Sequence, residues 1–143
     1  MIYIGIDTGV NTGVAVWDNR QRTFLYIGMM KIHQAMEMVK DYQKTAREAG
    51  TKLIVRVEDP RQRTWYEPMT REEERKKLQG VGSVKRDATI WEDFLHDLGV
   101  SFQMVKPSPG MTKHTAECFK ALTGWKGRTN EHDRDAAMLV FGF

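Results

Sequence analysis

Residues 2–18 read IYIGIDTGVNTGVAVWD. The first six, IYIGID, are a short apolar run that ends in an acid, the pattern of a buried strand. TGVNTG at 8–13 is turn chemistry, with Gly9, Asn11 and Gly13 as the points where the chain can reverse. VAVWD at 14–18 is then the return strand of a hairpin. A second turn at Asp18-Asn19-Arg20-Gln21 leads into a third strand, RTFLYIGM at 22–29, so the chain opens as three antiparallel strands.

Beyond the hairpins, Ile32, Ala35, Met36, Val39, Tyr42 and Ala46 recur at helical spacing, and Gly50 supplies a stop. KLIVRV at 52–57 is a fourth strand with Glu58 at its end. A helix separates it from the hairpins, which predicts that it runs parallel to the first strand. Pro60 breaks this strand, and 60–77 reads as a charged, irregular loop running into a helix over 78–98 that ends at Gly99. VSFQMV at 100–105 is a fifth strand, a helix over 112–122 opens at Thr112 as its cap, and a last helix covers 131–142. The order predicts one α/β domain over 1–143, with a five-stranded mixed sheet of three antiparallel and two parallel strands flanked by helices.

A chain of 143 residues with 41% hydrophobic residues can bury a core without staples. Its one cysteine, Cys118, excludes a disulfide framework. No apolar run approaches the ~18 residues needed to span a bilayer. Residues 2–7 contain Asp7 and read as a strand, not as the apolar segment of a signal peptide. The expected setting is cytoplasmic, without a membrane partner.

The net charge of +3 conceals an uneven distribution. Residues 61–86, with Arg61, Arg63, Lys85 and Arg86 among them, carry a net +4; residues 106–128, with Lys106 and Lys113, carry another +4. Two basic segments on a partly acidic body fit a polyanion, and equally fit two solvated loops. Trp65 and Tyr66 lie between the arginines of the first segment, where aromatic rings can stack on unpaired bases.

Four ionisable groups stand at the ends of separate elements: Asp7 closes strand one, Glu58 closes strand four, and His132 and Asp135 open the last helix. If strands one and four are parallel neighbours, Asp7 and Glu58 emerge side by side at the carboxyl edge of the sheet, where ligand sites in such sheets gather. His132 and Asp135, three apart, share a helix face. Asn130-x-x-Asp133 has the form of a capping box, so Asp133 has a structural explanation, although it also rivals His132 as a metal ligand. Ala136 and Ala137 are small enough to let this helix approach the sheet closely. Singly, an acid at a strand end reads as a turn residue and a histidine in a first helical turn as solvated. Together, three carboxylates in one cleft repel one another, a conflict that Mg²⁺ or Mn²⁺ on oxygen ligands removes. Paired ions of this kind serve phosphodiester cleavage.

IGIDTGVNTGVAVWD resembles the first motif of RuvC-type Holliday junction resolvases, members of the RNase H-like (retroviral-integrase) superfamily. IVRVEDP is similar to their second acidic motif, LQGVGSVKRDATI to their glycine-containing helix, and EHDRDAAMLV to their final motif. The order is right and covers nearly the whole chain, with the length of a compact, phage-type member. The resemblance implies an RNase H-like fold and assigns Asp7, Glu58, His132 and Asp135 as the catalytic, metal-binding set. It further implies Mg²⁺-dependent paired nicking of four-way DNA junctions by a homodimer in recombination and repair, with Mn²⁺ as a substitute. Lys113 stands where the family tends to carry a basic residue near the cleaved phosphate. The helicase partner is not implied. A related RNase H-like nuclease acting on branched or flap DNA, or on an RNA–DNA hybrid, is the alternative. For the dimer, Val84, Ala88, Ile90, Trp91, Phe94, Leu95 and Leu98 spread over roughly 160° of the 78–98 helix. One sheet needs a stripe of only ~100°, so the excess around Ile90 and Phe94 is the expected interface.

Overall fold

The computed structural model describes residues 1–63, 70–108 and 113–143. Five strands form one sheet: β1 (Ile2–Asp7), β2 (Asn11–Asp18), β3 (Thr23–Lys31), β4 (Leu53–Glu58) and β5 (Ser101–Val105). Their spatial order is β3-β2-β1-β4-β5. β1, β2 and β3 pair antiparallel, while β4 runs parallel to β1 and β5 parallel to β4. The α-helices among the described residues are α1 (Ile32–Ala49), α2 (Arg71–Leu98), α3 (Ala116–Thr123) and α4 (Glu131–Met138), with a single 3₁₀ turn at Pro60–Gln62. None of them is long and apolar enough to cross a membrane.

Side chains of a strand alternate between faces, and this alternation divides the core in two. Ile4 and Ile6 join Val14, Val16, Val55 and Val57 on one face, under Val39 of α1 and Trp91 and Leu95 of α2. The other face carries Ala15, Trp17 and Phe24, covered by Phe119 of α3 and by Ala136, Ala137 and Val140 in and after α4. Gly5 and Asp7 of β1, and Arg56 and Glu58 of β4, belong by alternation to this second face. Arg56 bears that out: its Nε donates to the Leu139 carbonyl just past α4, at 2.7 Å.

The second face is built for close approach. A Cβ on Gly5 would lie 2.1 Å from the Ala136 carbonyl oxygen, and one on Gly13 would lie 2.4 Å from that of His132. Real Cβ atoms do not approach backbone so closely, so α4 seats directly on the backbone of β1 and β2 only because both positions lack a side chain. Ala136 and Ala137, both fully buried, complete the fit.

Several boundaries differ from expectation. β2 begins at Asn11, so Gly13 lies inside a strand and serves packing, not a turn. α2 starts at Arg71, inside the stretch expected to be irregular. Thr70 caps it in a reciprocal capping box with Glu73: the Thr70 hydroxyl accepts from the Glu73 N–H and the Glu73 carboxylate from the Thr70 N–H. The extra turns show no apolar periodicity because residues 71–80 are all exposed and bury nothing. α3 begins at Ala116 under a Thr115 cap; Thr112 lies outside the described residues. α4 ends at Met138, short of 142. Gly50 and Gly99 do stop α1 and α2, each in the left-handed conformation.

Candidate functional site

The parallel register of β1 and β4 pairs Ile6 with Val57, so the next position sets Asp7 beside Glu58 at the carboxyl edge of the sheet. Asp7 is buried and Glu58 half-buried. α4 arrives over this edge with its N-terminus. The contact that Gly13 permits brings His132 to Asp7, with Nδ1 2.8 Å from Oδ2. When Asp7 is ionised, Nδ1 carries the proton and donates it, which leaves Nε2 as the acceptor nitrogen. One turn on, Asp135 reaches Lys113, whose Nζ donates to Asp135 Oδ2 at 2.9 Å and to Glu131 Oε1 at 2.8 Å. Arg134 ties the segment bearing Lys113 to α4: its Nε donates to the His114 carbonyl at 3.0 Å and its Nη1 to the Thr129 carbonyl at 3.1 Å. A cleft of about 370 Å³ opens beside Glu58, Asp135 and Lys113, and Lys106 also lines it.

The electrostatics reflect crowding of negative charge. Burial pushes the Glu58 carboxyl up to about 7, and the charges of Asp7 and Asp135 add to the effect. Burial likewise pushes Asp7 up to about 6; the hydrogen bond from His132 opposes this and Asp135 reinforces it. At Lys113 burial works against the charge, but the hydrogen bonds to Glu131 and Asp135 outweigh it and raise the ammonium pKa. The structure therefore places Asp7, Glu58, His132, Asp135 and Lys113 at one edge of the sheet, where hydrogen bonds among the described residues join them only as the pairs Asp7–His132 and Lys113–Asp135. Two neighbouring carboxyls raised toward neutrality, Asp7 and Glu58, are a pair that a cation would relieve.

Asp7, Glu58 and Asp135 are the oxygen donors that Mg²⁺ or Mn²⁺ prefers, and His132 does not exclude either ion. As the side chains stand, no three His, Cys, Asp or Glu residues among those described converge closely enough to hold an ion. Asp7 and Asp135 instead hold cationic or proton-bearing partners, His132 and Lys113. The donor chemistry fits a divalent ion; as the side chains stand, Asp135 is paired with the Lys113 ammonium and Asp7 hydrogen-bonds the His132 ring.

Asp133 turns away into the cap. Its N–H donates to Asn130 Oδ1 at 2.9 Å, and its Oδ2 accepts from the Asn130 N–H at 3.1 Å. Its Oδ1 is buried and accepts no hydrogen bond among the described residues. Arg61, expected on a nucleic-acid surface, instead makes a bidentate pair with buried Asp59, through Nε to Oδ1 at 2.8 Å and Nη2 to Oδ2 at 2.9 Å. It also reaches Glu92 of α2 at 3.0 Å, so it pins the 3₁₀ turn to that helix. Trp65 and Tyr66 lie outside the described residues. Lys85 and Arg86 are exposed on α2, Lys106 is exposed after β5, and Arg63 is half-buried. Glu131 and Arg134 were not singled out from the sequence; the available signal was their place in the first turn of the helix that carries His132 and Asp135.

No protein-family model matches the chain, and a search of curated proteins finds no match either.

Proposed function

We propose that this protein is an RNase H-like, metal-dependent endonuclease that resolves four-way DNA junctions by paired nicks, as a homodimer, in recombination and repair. The observation that carries the reading is the juxtaposition of Asp7 and Glu58 on adjacent parallel strands, under a helix that delivers His132 and Asp135 to the same edge. The sheet, three antiparallel strands followed by two parallel ones, is the one read from the element order, and it supports an RNase H-like reading.

Asp7, Glu58 and Asp135, with His132, would hold Mg²⁺ or Mn²⁺. A bound ion of this kind activates water and neutralises charge on the phosphate. The protein's own groups do the rest. Asp7 orients the His132 ring so that Nε2, the nitrogen through which His132 would hold the ion, is left unprotonated, and Lys113 and Lys106 draw a phosphate backbone into the cleft. Lys85 and Arg86 are exposed on α2, which packs on the other face of the sheet, and offer a second positive surface. Ile90, which is exposed on the same helix, supports the dimer; Phe94 instead packs edge-on to Trp91, with ring centroids 5.8 Å apart.

The test is to incubate purified protein with labelled four-way junction, flap, RNA–DNA hybrid and plain duplex. Mg²⁺ or Mn²⁺ should yield symmetric paired nicks in the junction. Ca²⁺, with its longer and looser coordination, should support binding without cutting. Preferential cutting of flap or hybrid moves the protein to a general RNase H-like nuclease, and full activity in excess EDTA sinks the metal mechanism.

A further inference from the structure

Lys113 pairs with two acids of α4, and its connections are unequal. It bridges Asp135, whose side chain is 15% exposed, and Glu131, whose side chain is 61% exposed. An ammonium has three donors, so it can hold both carboxylates at once. Glu131 and Asp135 are four apart on α4 and so lie on one face, a turn from each other. The backbone next to Lys113 is fixed by Arg134, through the His114 carbonyl. The ammonium can therefore leave Asp135 and keep Glu131 by side-chain rotation alone. Asp135 is also the acid whose charge raises the pKa of both Asp7 and Glu58.

We propose that Lys113 is a resident counter-ion of the acid cluster, which a divalent cation displaces from Asp135, and that Glu131 is the positioning residue that retains it. This rests on the metal-binding reading above. Without the metal, Lys113 offsets the repulsion among the acids. When the cation takes Asp135, two positive charges compete for one carboxylate and the lysine withdraws to the solvated Glu131. Its ammonium then stays beside the cleft.

Displacement has a signature in metal binding that needs neither DNA nor turnover. Mn²⁺ alone is titrated into DNA-free protein and the free ion is read by electron paramagnetic resonance. Lys113→Met should bind Mn²⁺ at least fivefold more tightly than wild type, and Lys113→Gln should move the same way. Lys106→Met removes an equal charge from the same cleft, but from a residue outside the ion-pair network, and should change affinity less than twofold. In a Glu131→Gln background Lys113 has no second carboxylate to fall back on, only a neutral amide oxygen, so the gain from Lys113→Met should be larger still. Equal tightening by Lys106→Met would reduce the effect to the general field of the cleft and overturn the proposal. So would unchanged affinity in Lys113→Met and Lys113→Gln while wild type binds and Asp7→Asn does not; the metal reading would then survive alone. A gain no larger in the Glu131→Gln background would remove Glu131 from its role. Absence of Mn²⁺ binding in wild type and both Lys113 variants would take down the metal reading and this inference together.

Discussion

α4 and the first half of α2 are opposite uses of a helix. α4 has eight residues, and three of them, Asp133, Ala136 and Ala137, are buried; two more, His132 and Asp135, form the candidate site. α2 has 28 residues, about 42 Å at helical rise, and only Ala88, Trp91 and Leu95 are fully buried among its described side chains. Gly5 and Gly13 under α4 have backbone where a side chain would be, whereas Gly80 and Gly82 on α2 have nothing within 4 Å. The short helix is placed by backbone contact, which holds His132 and Asp135 rigidly. The long one is a capped, charged arm whose first ten residues pack against nothing described. Under the function proposed above, chemistry that needs fixed atoms would belong to the first region and partner binding to the second.

The largest expected effect strikes the fixed region. Asp7→Asn keeps shape but removes a ligand charge and weakens the hold on His132, so junction cleavage should fall by roughly 10³ or more, about 4 kcal/mol of barrier. Junction binding, measured by gel shift, should survive, because on the proposed reading it rests on lysines and arginines and not on Asp7. Equal loss of both would make Asp7 a structural residue.

Next comes the seat itself. Gly5→Ala places a methyl 2.1 Å from the Ala136 carbonyl, so α4 must shift. Overpacking of this kind costs about 1–3 kcal/mol in a urea melt, and cutting should fall with it. A variant as stable and active as wild type would mean that α4 is free to move.

Glu58 tests the same region through pH. Its folded pKa, about 7, lies above the ordinary carboxyl value of 4.5, so the native state binds the proton more tightly than the unfolded chain does. The resulting destabilisation is absent below about 4.5, grows as pH rises, and is complete above about 7. Metal-free protein should therefore lose stability between pH 5 and 8. Glu58→Gln should recover about 2 kcal/mol at pH 8 in EDTA and, assayed separately with Mg²⁺, should abolish cleavage. The pH slope should flatten without vanishing, because Asp7, held near 6, still titrates. A Glu58→Gln protein less stable at pH 8 than wild type would contradict the crowding of acids.

The smallest effect belongs to the arm. Gly80→Ala, the same substitution as at Gly5, meets no atom and removes a helix-interior glycine, so it should stabilise by up to about 1 kcal/mol. Thermal melts of the two glycine variants should move in opposite directions. If both destabilise, the arm packs against something after all.

Short-range patterns made much of this legible. β1, α1 and its Gly50 stop, the Asn130–Asp133 capping box and the small pair Ala136–Ala137 all follow from neighbours within a few residues, and all five stand in the structure. The parallel direction of β4 also followed, from the helix that separates it from the hairpins; the adjacency and register that set Asp7 beside Glu58 came from the fold. The start of α2 escaped because an exposed helix has no apolar period to display; only its Thr70–Glu73 cap marks it.

What the sequence determined by itself was thus the set of elements and the identity of the acids at their ends, since propensity, capping and periodicity act over a few residues. Which of those charges meet was decided by tertiary structure alone. Asp7 and His132 are 125 positions apart, Lys113 and Asp135 are 22 apart, and Arg61 and Glu92 are 31 apart. Arg61 and Lys113 look alike in a list of basic residues. One locks a turn and the other bridges the acid cluster, because an ion pair forms with whichever carboxylate the packed backbone carries within about 4 Å, and no local pattern records that distance.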